Sequence, residues 1–160
     1  MNREERNVRN ILVVDDDINV VQALRRICLD PSVLPVLENI QVFEYVSAVG
    51  AIEHAREQPV DLVISDFRMP DMDGALFLQH VKAAQPEVVG INLCPSTDTM
   101  ELLDAIDRTE IPVFIHQPWN DNELKATIAE VLKYHGILCE NRRLADEIRA
   151  QRNRVAHERH

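Results

Sequence analysis

Short apolar runs alternate with amphipathic stretches along this chain, and the alternation is regular enough to predict its architecture. Ile11-Leu12-Val13-Val14 is apolar at every position, the pattern of a strand covered on both faces. Residues 18–29 follow as a helix, with Val20, Val21, Leu24 and Ile27 at helical spacing, and Asp30-Pro31 ends it. Further strands are predicted over 42–46, 60–65, 88–93 and 111–115, and further helices over 48–57, 75–84, 99–108 and from 120 onward. Residues 32–40, which include Pro35, read as an insertion between the first helix and the second strand. Strands that alternate with single helices through short turns imply a parallel sheet with helices on both faces, an α/β doubly wound fold.

Composition narrows the class. A length of 160 residues suits one domain able to bury a real core, with residues 1–9 as an N-terminal extension. No run of about 18 apolar residues is present to span a bilayer, and Met1-Asn2-Arg3-Glu4-Glu5-Arg6 is charged without the apolar centre of a signal peptide. Cys28, Cys94 and Cys139 are odd in number and far apart, which suits a reducing compartment such as the cytoplasm rather than a disulfide framework or a zinc site. The six His residues show no metal-ligand spacing, and a formal charge of −10 argues against general nucleic-acid binding by the body of the protein.

The chemistry lies where two of the strands end. Ile11-Leu12-Val13-Val14 runs into Asp15-Asp16-Asp17, and Val60-Asp61-Leu62-Val63-Ile64-Ser65 runs into Asp66. Both acidic groups therefore reach the carboxyl edge of the sheet, where open α/β folds bind ligands. Carboxylates converging there need a cation, and Mg²⁺ fits because it takes oxygen ligands and pairs one or two carboxylates with a phosphate oxygen. Phosphoryl transfer onto a carboxylate is the reaction this implies. Three acids after a strand also serve as a solvated turn, and Asp17 is expected to cap the first helix.

Asp15, Asp16, Asp66 and the following Phe67-Arg68-Met69-Pro70-Asp71-Met72-Asp73-Gly74 resemble the receiver domains of bacterial two-component response regulators, over about residues 10–133. The resemblance implies a flavodoxin-like five-stranded (βα)5 sheet and a signalling module rather than an enzyme. It implies Mg²⁺ at Asp15, Asp16, Asp66 and the Arg68 backbone carbonyl, with Asp66 receiving a phosphoryl group from a sensor histidine kinase or phosphotransfer protein. Pro70 and Gly74 suit a tight loop beside that metal. Two positions depart from the family. Its fourth strand usually ends in Thr or Ser, and here stands Cys94, a weak donor; its fifth strand is followed by a Lys before Pro, and here stands Gln117, an uncharged amide. Phe114 matches the family's aromatic switch position. The site thus keeps its metal-binding half and lacks the groups that stabilise and read the phosphoryl group. The alternatives are a phosphorylation-independent pseudo-receiver serving as a dimerisation scaffold, and a haloacid-dehalogenase-like phosphatase using Asp15 and Asp17 as a D-x-D pair.

The tail, residues 134–160, has its own character. Six Arg stand against four acidic residues between Glu140 and His160, a balance of +2, whereas residues 1–139 carry 11 basic and 23 acidic groups, −12. Tyr134, Ile137, Asn141, Leu144, Ile148, Gln151 and Val155 recur at alternating spacings of three and four, an a/d seam. A short coiled coil and a homodimer are expected, with a bend at Gly136 between the body's last helix and the tail. An output domain absent from this chain is a further expected partner.

Overall fold

The computed structural model describes residues 8–33, 39–95 and 113–158. Strand β1 (Val8–Val14) pairs in parallel with β2 (Asn39–Tyr45) on one side and with β3 (Leu62–Asp66) on the other. Beyond β3 lie β4 (Val89–Pro95) and β5 (Val113–Gln117), which gives the parallel order β2-β1-β3-β4-β5. The chain therefore leaves β1 in one direction to form β2 and crosses back to form β3. Such a reversal splays the connections apart and leaves a crevice at the carboxyl ends of β1 and β3.

Helices cover both faces because the strands are apolar on both. On one face, Ile11, Val13, Leu62, Ile64, Ile91 and Leu93 pack against Val21, Leu24 and Ile27 of α1 (Ile18–Cys28) and against Leu124, Ile128 and Leu132 of α4 (Asp121–Glu158). On the other, Leu12, Val14 and Val63 meet Ala51, Ile52 and Ala55 of α2 (Ala48–Glu57) and Phe77, Leu78 and Val81 of α3 (Gly74–Ala84). At roughly 1.5–3 kcal/mol for each large apolar side chain fully buried, these two layers carry most of the favourable energy of folding.

Several boundaries move from those the sequence implied. β1 begins at Val8, so Val8 and Arg9 belong to the sheet and not to an N-terminal extension. β2 begins at Asn39, three residues before the apolar run, because an edge strand tolerates the polar alternation of Asn39-Ile40-Gln41. The helix expected over 99–108 lies outside the described residues. Gly136, where a bend was expected, does not interrupt the helix: α4 runs from Asp121 to Glu158, entered through Asn120, whose side-chain oxygen accepts the N–H groups of Asn122 (2.9 Å) and Glu123 (3.2 Å). Neighbours packed against the core on either side, His135 buried and Leu138 half-buried, outweigh the roughly 1 kcal/mol that a mid-helix glycine costs. His135 is buried and Leu138 packs against the main core, so the helix stays on the body for a further turn and more beyond Gly136.

Polar contacts fasten α4 to the rest of the molecule, among them one from the Arg9 guanidinium of β1 to the Leu132 carbonyl. Lys125 Nζ lies 2.9 Å from Asp30 Oδ2 after α1. His135 Nε2 lies 3.6 Å from Asp61 Oδ1, and Arg142 Nη1 lies 2.6 Å from Glu87 Oε1. His135, Leu138 and Arg142 recur at three- and four-residue spacing, which puts them on one face of the helix. The seam through Ile137, Leu144, Ile148 and Val155 falls on the opposite face, and all four side chains are exposed, Ile148 most of all at 64%.

Candidate functional site

The crevice between β1 and β3 receives the carboxylates. Asp15 follows β1 directly, its N–H donating to the Tyr45 carbonyl of β2 (3.2 Å), and only 2% of the residue is exposed. Asp16 is exposed beside it. Asp66 ends β3, with Oδ1 accepting the Arg68 backbone N–H at 3.2 Å. One carboxylate oxygen from each of Asp15, Asp16 and Asp66 can be chosen so that all lie within 4.8 Å of one another. That donor set is hard, anionic and partly open to solvent, and it fits a small divalent cation that keeps some of its waters.

Electrostatics point the same way. Burial, followed by the charges of Asp66 and Asp16, pushes Asp15 up to about 7, against the opposing hydrogen bond from the Asp17 N–H (2.8 Å). Burial and the charge of Asp16 raise Asp66 as well, with the Arg68 N–H pulling in the other direction. Without a cation, the cluster holds its negative charge against a gradient. A bound divalent ion removes that gradient.

Asp17 stands apart. Its Oδ1 accepts the Asn19 N–H at 2.9 Å as the cap of α1, so the second carboxylate of a D-x-D phosphatase pair is committed elsewhere. The loop from Asp66 to Gly74 is closed by Gly74 N–H to the Phe67 carbonyl (2.7 Å) and pinned to the sheet by Phe67 N–H to the Leu93 carbonyl (2.9 Å). Asp73 caps α3 through the Leu76 N–H at 2.8 Å.

The departures lie along the same edge. Cys94 is buried among Phe67 and Ala75, with half-buried Phe114 against it and the Phe67 and Phe114 rings edge to face at 6.3 Å. Burial and the charge of Asp66 push the Cys94 thiol up to about 12, so it stays protonated and unreactive. Gln117 ends β5, half-buried, at the carboxyl edge. His116 is exposed on β5, and Trp119 lies against the main core with Nε1 donating to Asp121 Oδ1 at 3.2 Å. One residue of consequence escaped the sequence reading: Asn92, buried within β4. Its run, Gly90-Ile91-Asn92-Leu93-Cys94, reads as a strand whichever residue stands in the middle.

Comparisons with known proteins agree with this architecture. The family described as the response regulator receiver domain matches residues 11–129. The hydrogenase transcriptional regulatory protein HoxA of Cupriavidus necator is 32% identical over 139 residues, 87% of this chain and 27% of that protein. The transcriptional regulatory protein ZraR of Escherichia coli is 30% identical over 132 residues, 82% of this chain and 28% of its own length. The chain thus spans little more than a quarter of these relatives. Among solved structures, an uncharacterized protein from Neptuniibacter caesariensis superimposes with a TM-score of 0.74 at 28% identity, covering 85% of this chain and 95% of its own. The signal receiver domain of an HD domain-containing protein from Pseudomonas fluorescens gives 0.67 at 28% identity, with 80% and 97% covered. No described helix is long and apolar enough to cross a membrane. Sequence relatives, structural neighbours and the acidic crevice converge on one assignment: this chain belongs to the receiver domains of two-component response regulators.

Proposed function

We propose that Asp66 accepts a phosphoryl group from a sensor histidine kinase or a phosphotransfer protein, with Mg²⁺ held by Asp15, Asp16, Asp66 and the Arg68 carbonyl. The observation that carries this reading is the meeting of three carboxylates at the crevice between β1 and β3. An Asp66 carboxylate oxygen bonds to phosphorus while the bond from phosphorus to the donor nitrogen breaks, its electron pair remaining on the departing imidazole. The metal would neutralise charge on the phosphoryl oxygens and on the carboxylate that receives them. Asp15 and Asp16 hold that ion, and the Arg68 N–H orients Asp66. Gln117 and Cys94 supply no cation and only a weak donor, so transfer is slow and the phosphorylated state is read weakly.

The body, from β1 through the stretch of α4 that packs on it, is then the signal-receiving unit, and the remainder of α4 passes its state on by contact with other proteins. The exposed seam through Ile137, Leu144, Ile148 and Val155 supports a homodimer, since one helix alone leaves those side chains in water. HoxA and ZraR are transcriptional regulators by name, and a transcriptional output joined to such a tail is the corresponding reading here.

Magnesium titration followed through Trp119 fluorescence, with Asp66→Ala as control, tests the metal site. Phosphorylation by acetyl phosphate, in the native chain and in Gln117→Lys with Cys94→Thr, tests the acceptor. Slow labelling of the native chain, faster labelling of the double variant and none of Asp66→Ala are expected. Metal binding without any labelling would favour a scaffold that works without phosphate. Light scattering of the chain cut at Tyr134 tests the dimer: monomers are expected from the shortened chain, and a surviving dimer would move the interface onto the body.

A further inference from the structure

The interior of β4 holds one polar side chain that neither the metal site nor the apolar core accounts for. Asn92 sits opposite Ser65 of β3 in the sheet register, and each is only 1% exposed. Ser65 Oγ donates to Asn92 Oδ1 at 3.1 Å, while Asn92 Nδ2 has no partner among the described residues. A buried donor without an acceptor lowers stability, and two apolar side chains of similar size would serve the sheet better. The pair is therefore placed where it is for something other than holding the strands together.

Its surroundings show what it touches. Ser65 is the residue immediately before Asp66. Gly74, which ends the acceptor loop, lies so close to Asn92 that a β-carbon there would stand 2.4 Å from Asn92 Oδ1 and 3.0 Å from both the Asp66 carbonyl oxygen and Phe67 Cα. One carboxamide oxygen thus meets both ends of the Asp66–Gly74 loop, the first through a hydrogen bond to Ser65 and the second through close packing. We propose that Asn92 is a positioning residue for the acceptor, its carboxamide seating the loop so that the Asp66 carboxylate stays against Asp15 and Asp16. The proposal rests on the reading of Asp66 as acceptor and metal ligand. It also answers a need particular to this chain, in which Gln117 cannot tie Asp66 in place by charge.

Asn92→Val separates this role from ordinary packing, because valine suits a buried strand and exchanges one unpaired group, the Asn92 amide, for another, the Ser65 hydroxyl. Three quantities are measured: the thermal midpoint, amide hydrogen exchange at Gly74 and Phe67 relative to amides of β1, and the dissociation constant for Mg²⁺. The expected result is a midpoint that changes little, with the two loop amides exchanging about tenfold faster than in the native chain. The Mg²⁺ dissociation constant is expected to rise about fivefold, since a ligand that must order its own site binds more weakly. Loop amides that keep or gain protection while the midpoint holds would make Asn92 a core residue and overturn the proposal. Should Asn92→Val not fold, Ser65→Ala takes its place: faster exchange confined to Gly74 and Phe67 supports the seat, and uniform loosening that includes β1 refutes it. A native chain without Mg²⁺ binding would count against the metal site, and the exchange measurements, made without metal, would still decide the role of Asn92.

Discussion

The two edges of the sheet treat their acids differently. At the amino edge, Asp61 before β3 receives the Asn10 N–H on Oδ2 at 2.7 Å and faces His135 Nε2 across 3.6 Å, while Glu87 before β4 is paired with Arg142 at 2.6 Å. At the carboxyl edge, Asp15, Asp16 and Asp66 face one another, and burial and mutual repulsion push Asp15 up to about 7. Acids of the first kind serve the fold by anchoring α4. Those of the second kind oppose it, a repulsion that a cation would relieve. The difference separates paired from mutually repelled carboxylates inside one small domain by what each one faces, which the residue type alone cannot do.

Asp66→Asn should break the comparison most completely. Labelling by acetyl phosphate is expected to vanish, while the metal-free protein becomes more stable, because a repelled carboxylate has been neutralised without changing its shape. A calorimetric melt beside a labelling assay checks both, and a loss of stability would place Asp66 among the structural acids.

The opposite edge should respond with the opposite sign. His135→Ala removes a buried side chain and leaves Asp61 Oδ1 without its imidazole, at a cost of about 2–3 kcal/mol in chemical denaturation. A change under 0.5 kcal/mol would remove the fastening role assigned to that contact.

The pH dependence sharpens the contrast. Asp15 rises from 3.8 to about 7 on folding, so the folded chain binds a proton that the unfolded chain releases. This contribution is fully present only below the unfolded value of 3.8 and is lost as the pH climbs through about 7. Stability of the metal-free protein should therefore increase by about 2–3 kcal/mol between pH 8 and pH 5, until other groups begin to titrate. Saturating Mg²⁺ should flatten the curve, since the ion replaces the proton. A slope of the same size with and without Mg²⁺ would mean that the ion does not meet Asp15.

The smallest effect concerns Gln117→Lys, which brings the carboxyl edge nearer in kind to the amino edge. An added ammonium should weaken Mg²⁺ binding about two- to fivefold at low ionic strength, and less as salt is added. Unchanged affinity would place the new side chain outside the reach of the cluster.

Much of this was legible in the chain. The runs ending at Asp15 and Asp66 fixed the crevice, because continuous apolar strands leave their polar ends only one edge to occupy. The cap at Asp17 and the helix over Ala48–Glu57 also follow from local signals. The edge strand β2 was less legible at its start, since Asn39-Ile40-Gln41 carries half its side chains toward water and so lacks an apolar run. The continuation of the helix through Gly136 is not legible because helix propensity is local, whereas His135 and Leu138 are held by residues far away in sequence. Asn92 was invisible for a related reason: its meaning depends on Ser65 and Gly74, which only the folded sheet brings to it.

The unbroken length of α4 gives the molecule mechanical reach. Its 38 residues make a rod about 57 Å long, of which the 16 residues after Arg142 extend about 24 Å past the pairing of Arg142 with Glu87. A tilt of about 5° at that fastening moves the far end by roughly 2 Å, a distance comparable to the one- to two-ångström helix shifts that proteins use as switches. A flexible joint at Gly136 would have absorbed such a movement. A continuous rod transmits it, so a disturbance too slight to alter the shape of the receiver can still be felt at the far end of the helix.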